Sequence, residues 1–184
     1  TETVYALTQR VEPAFVPTEI HLLTTAEGAE RARLTLLSDD PGWFHRLRRD
    51  YRLPDIKFSD ETIHALRTAE GELIGDIRTR EENEQLANSL TEVVKELTAD
   101  PDCALHVSIA GGRKTMGFYA GYALSFFGRP QDRLSHVLVS APYESNQQFY
   151  YPTPRRYVIY THPPESRPLD ARDAEVSLAE IPFV

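Results

Sequence analysis

The run Ala104-Leu105-His106-Val107-Ser108-Ile109-Ala110-Gly111-Gly112-Arg113-Lys114-Thr115 passes from an apolar segment, through two glycines, into a helix-forming sequence. Residues 104–109 read as a buried strand, and the spacing predicts a helix from Arg113 to Phe127. Glycine admits positive φ and lets a ligand approach the backbone closely. The first amides of a helix have no partner inside it, and its dipole favours negative charge there. Ala110, Gly111 and Gly112 would supply amides to an anion, Arg113 a forked donor, Lys114 a point charge and Thr115 a hydroxyl. Open α/β sheets place ligands at such carboxyl-end turns. A Walker phosphate loop is excluded, because its two required glycines fall on Arg113 and Ser108. No G-x-G-x-x-G fingerprint is present either. A Gly-Gly turn also occurs where nothing binds, so the turn alone leaves both readings open.

The surrounding sequence repeats the strand-to-helix step. Leu134–Ser140 reads as the next strand. Thr79-Arg80-Glu81-Glu82 has capping-box spacing, and Leu86, Leu90, Val93, Val94 and Leu97 predict an amphipathic helix over Glu81–Ala99. Glu19–Thr24 reads as a strand, with Thr24 and Glu27 spaced to start a helix whose inner face holds Ala29, Ala32, Leu36 and Leu37. The expected fold is therefore α/β, a mainly parallel sheet with helices on both faces. Thr62–Arg67 and Glu72–Ile77 are expected as a hairpin through Gly71. Phe149–Pro152 and Tyr157–Tyr160 are expected as a small antiparallel edge. Thr1–Gln9 reads as a helix with Val4 and Leu7 inward, and a strand ahead of it is expected. The apolar Ile181–Val184 end is expected to continue. His45–Arg52 is locally basic, either a solvated helix face or an anion contact.

Composition bounds the function. The 184 residues suit one domain, and 41% hydrophobic with 26% charged content is that of a globular protein. A net charge of −8 argues against broad binding to long nucleic acid, though a few cations in a cleft can still hold a small anion. The single cysteine, Cys103, excludes an internal disulfide and a cysteine-built zinc site. Together with the absence of a signal peptide and of any apolar run long enough to span a membrane, this leads us to expect a cytoplasmic protein. No metal or cofactor motif is found. The helix over 113–127 is nearly apolar all round, so either the rest of the domain or a symmetry mate must cover its outer side. A homodimer is expected.

Five stretches stand in an order that resembles a known family: Thr1–Leu7, Glu19–Thr25, Asp76–Thr79, His106–Tyr119 and Gly128–Val139. Together they resemble the CARF-domain ring nucleases of type III CRISPR systems, the NE-zero-one-one-three group. The resemblance covers essentially the whole chain. It implies a Rossmann-like CARF domain, a homodimer with a two-fold symmetric pocket, and cyclic tetra-adenylate as ligand. It also implies metal-independent cleavage to linear di-adenylate with a 2′,3′-cyclic phosphate, which ends the antiviral signal. Family members carry a strand and a Gly/Ser-Pro-Gln-type loop just ahead of the Thr-Glu-Thr segment, and that loop is absent from this sequence.

Lys114 and Arg113 are the expected catalytic cations. Ligand contacts are expected from residues 110–115 and from Thr24, Thr25, Arg78 and Tyr143. His21, His106 and His136 lie in apolar strands and read as satisfied structural residues, which leaves no histidine as general base. Three functions remain open: a ring nuclease, a sensor domain that binds the ring and relays to an effector, and an ordinary nucleotide-cofactor enzyme.

Overall fold

In the computed structural model, which describes residues 1–112 and 114–183, the elements run α1 Glu2–Gln9, β1 Leu22–Thr24, α2 Ala26–Ala32, α3 Trp43–Asp50, β2 Ile63–Ala65, α4 Arg80–Ala99, β3 His106–Ser108, α5 Lys114–Phe127, β4 Arg133–Val139, β5 Val158–Tyr160, β6 Pro168–Asp170 and β7 Val176–Glu180. The chain divides into two units. One, the glycine-turn unit, comprises Ile20–Arg33, Phe58–His136 and Glu180–Val184; the other, the aromatic unit, comprises the remainder.

In the glycine-turn unit β1 pairs in parallel with β2, and β3 pairs in parallel with β4 through His106↔Arg133 and Ser108↔Ser135. Helices α4 and α5 cover these strands. Leu86 and Leu90 of α4 and Ala120 of α5 pack with Leu66 and Ile74, while Val94, Ala123, Leu124 and Leu134 form a second cluster. A Cβ on Gly121 would meet Leu134 at 3.4 Å, and one on Gly117 would meet Ile109 at the same distance. Both glycines therefore face the sheet, where they let α5 settle closely on it. The capping box at Thr79 forms as the spacing predicts: the Glu82 amide donates to Thr79 Oγ1 (3.1 Å) and the Thr79 amide to Glu82 Oε2 (2.8 Å).

Asp132 ties the starts of β3 and β4 together. Its buried carboxylate accepts from the Leu105 amide (2.9 Å), the Arg129 amide (2.8 Å) and the Arg129 guanidinium (2.9 Å). Burial opposes ionisation there. The Arg129 guanidinium and the two amides outweigh it and hold the carboxyl below its ordinary range.

In the aromatic unit α1 buries Val4, Tyr5, Ala6 and Leu7, and α3 buries Trp43, Phe44 and Leu47. Trp43 stacks on Tyr150 with ring centroids 4.7 Å apart and meets Tyr151 and Tyr157 edge-on. The Arg46 guanidinium lies 4.3 Å from the Trp43 centroid.

Four expectations need correction. The described strands form three small sheets, a parallel pair β1-β2, a three-stranded sheet β3-β4-β7 and an antiparallel pair β5-β6, where one mainly parallel sheet was expected. The antiparallel edge pairs Val158–Tyr160 with Pro168–Asp170; Tyr150 and Tyr151 instead pack their rings on Trp43 and Phe149 packs on Tyr143, because burying aromatic area outweighs their strand propensity. The cap of α2 is Thr25, whose hydroxyl accepts from the Gly28 amide at 3.3 Å. Thr24 stays in β1, where its carbonyl accepts from the Leu66 amide, so the strand claims it before the helix can. The hairpin through Gly71 closes with Thr68 N–H to Glu72 O (2.8 Å) and Ile74 N–H to Leu66 O (2.9 Å), but its second arm forms only an isolated bridge, Arg67↔Leu73.

Candidate phosphate-binding site

Strand β3 delivers the chain to Gly111 and Gly112, which adopt φ of 82° and 76°, the left-handed region that side chains disfavour. A Cβ on Gly111 would meet nothing within 4 Å, whereas one on Gly112 would meet Met116 Sδ at 3.0 Å. The turn is thus open on one side and backed by Met116 on the other. Lys114 is the first residue of α5, exposed, and without an ion pair among the described residues. Arg113, expected beside it, lies outside the described residues.

The turn borders an open cavity of about 540 Å³, lined among others by Ile109, Gly111, Gly112, Lys114, Phe118 and His136. That volume lies in the range of small-ligand sites. A helix N-terminus, a free ammonium and two glycines on one rim suit an anion. Phe118, one turn along α5 from Lys114, and Ile109 add apolar lining that suits the face of a base.

His136 is the residue that sequence reasoning missed. It is exposed and lines the cavity, although it reads as structural within an apolar strand. It stands two residues beyond Leu134, on the same face of β4. Leu134 lies under Gly121 in mid-helix, while His136 lies toward the helix N-terminus. Period-2 alternation counted from Leu134 was the available signal. The other two histidines read as structural, His106 and His21, are partnered. His106 bonds Ser135 Oγ at 2.7 Å, and burial lowers its pKa, with the Glu180 charge opposing. His21 bonds His64 at 2.9 Å.

The remaining expected residues do not line this cavity. Thr115 is exposed on the first turn of α5, and the Ala110 amide bonds Ser108 Oγ at 3.4 Å. Thr24 and Thr25 are committed to β1 and to the α2 cap. Arg78 is exposed and paired with Asp76 (3.4 Å). Tyr143, in the aromatic unit, is buried and donates its hydroxyl to Asp170 O at 2.8 Å.

The family model for CRISPR-associated protein NE0113 (Cas_NE0113) matches residues 1–184. The chain belongs to this CRISPR-associated family. No curated protein matches it. Among the described residues no group of three or more His, Cys, Asp or Glu could hold a metal ion, and no helix is long and apolar enough to cross a membrane.

Proposed function

We propose that this NE0113-family chain is a type III CRISPR ring nuclease with a Rossmann-like CARF domain, binding cyclic tetra-adenylate and cleaving it to linear di-adenylate. The observation that carries the reading is the open glycine turn with Lys114, which has no ion pair among the described residues, on its rim and His136 in the same cavity. A cavity of this size takes part of a tetranucleotide, so two copies related by a two-fold axis would share one ring. Phe118, Tyr122 and Phe126, spaced four apart on α5 and 66%, 54% and 66% exposed, supply an apolar stripe for that pairing.

The chemistry draws on the ring, the chain and a proton from solvent. The 2′-hydroxyl gives its proton to the His136 imidazole and its oxygen attacks the adjacent phosphorus. The bond to the 5′-oxygen breaks, and that oxygen takes a proton from solvent in the open cavity. Lys114 and the turn amides carry the charge that grows on the non-bridging oxygens. One cut on each side of the ring yields two di-adenylates ending in 2′,3′-cyclic phosphates. Holding the 2′-oxygen in line supplies much of the rate.

Incubation of the protein with cyclic tetra-adenylate in chelator, with products resolved by chromatography, tests the reading. Di-adenylate with a cyclic phosphate is expected. Tight binding with the ring left intact would leave a sensor domain, and no binding would remove the proposal.

A further inference from the structure

We propose that α3 carries a second, separate anion site that takes a phosphate-bearing ligand of nucleotide size. His45, Arg48 and Arg49 stand at i, i+3 and i+4 on one face of α3, and Arg52 follows just beyond the end of the helix. With Leu53 they line an open cavity of about 490 Å³ within the aromatic unit. In a chain of net charge −8 this is a dense island of positive charge. Arg48 is neutralised by Asp55 at 2.7 Å and also donates to Pro54 O at 3.1 Å. Arg49 and Arg52 have no ion pair among the described residues.

Basic residues in a last turn usually serve the helix dipole, but here the end of α3 is already closed by backbone bonds. The Leu53 amide donates to Arg48 O (2.9 Å) and the Arg52 amide to Arg49 O (3.3 Å), the two bonds of a Schellman motif. That motif calls for glycine at its left-handed position, and this chain places Arg52 there with φ of 51°. A strained backbone is thus kept where glycine would relieve it, and what the arginine brings is a free guanidinium over the cavity. Two unpaired guanidiniums three residues apart can clamp adjacent phosphates, with Leu53 offering apolar surface to the rest of the ligand.

Calorimetric titration with ADP in magnesium-free buffer tests this, using wild type, Lys114→Ala, Arg49→Ala and Arg52→Gly. ADP is expected to bind wild type, and Lys114→Ala is expected to keep an ADP site that depends on Arg49 and Arg52, which separates this site from the glycine turn. Binding should weaken at least tenfold in Arg49→Ala and in Arg52→Gly. The melting temperature of Arg52→Gly should stay level or rise by about 2–4 °C as strain is released, so its loss of affinity cannot be a loss of fold. Equal affinity in wild type and Arg52→Gly would overturn the proposal. So would ADP binding that Lys114→Ala abolishes, or binding of a single-stranded RNA tetramer with none of ADP.

Discussion

Replacing Lys114 with alanine should move activity and stability in opposite directions. Lys114 is exposed, sits in the first turn of α5 and has no ion pair among the described residues, so its removal breaks no contact there. A cation at a helix N-terminus opposes the dipole by about 0.3–1 kcal/mol, and alanine is the better helix former. The variant should therefore unfold at the same urea concentration as wild type or slightly higher. Ring cleavage should fall about 10²–10³-fold, because one donor to the transition-state oxyanion typically contributes that much. Single-turnover cleavage followed by chromatography, alongside urea unfolding, measures both. A variant cleaving at the wild-type rate would refute the assignment of Lys114, and one that loses activity only together with its fold would refute the argument that its role is chemical.

His136→Gln should leave ring affinity within about threefold while slowing cleavage by about 10²-fold or more, measured by single-turnover chromatography. Asp132→Ala should destabilise the chain by about 1 kcal/mol or more for each of the two amides left without an acceptor, read as a lower urea midpoint. Burial lowers the His106 pKa from 6.5, so protonation favours the unfolded chain. Stability is accordingly highest above that value and declines as pH falls below it, and His106→Gln should reduce the decline between pH 7 and 5. Phe126→Glu should shift the proposed dimer to monomer in sedimentation while leaving the far-UV dichroism unchanged.

The sequence carried the parts of the fold that local chemistry dictates. The Thr79 capping box, the apolar rows of α4 and α5 and the left-handed glycines are each specified within a few residues, and each stands where its pattern puts it. What failed depends on partners distant in the chain. Whether Thr24 caps a helix or stays in a strand is decided by the Leu66 amide, more than forty residues away in the sequence. Whether Tyr150 and Tyr151 pair as a strand or pack as rings is decided by Trp43. The site divides the same way. The turn and Lys114 were legible as a motif, whereas the alternation along β4 that points to His136 gains meaning once β4 is set against α5. Arg52 was seen as a charge, but its backbone conformation was not.

The clamp at Asp132 sits at one end of a parallel pair whose other end carries the cavity, and from it to His136 the chain counts four residues. That stretch works as a ruler. A single residue added or removed between the two marks would slide every later side chain of β4 to the opposite side of the sheet, withdrawing the imidazole and presenting Ser135 or Val137 in its place. Length should therefore be held fixed over 132–136 more strictly than the identity of any residue between.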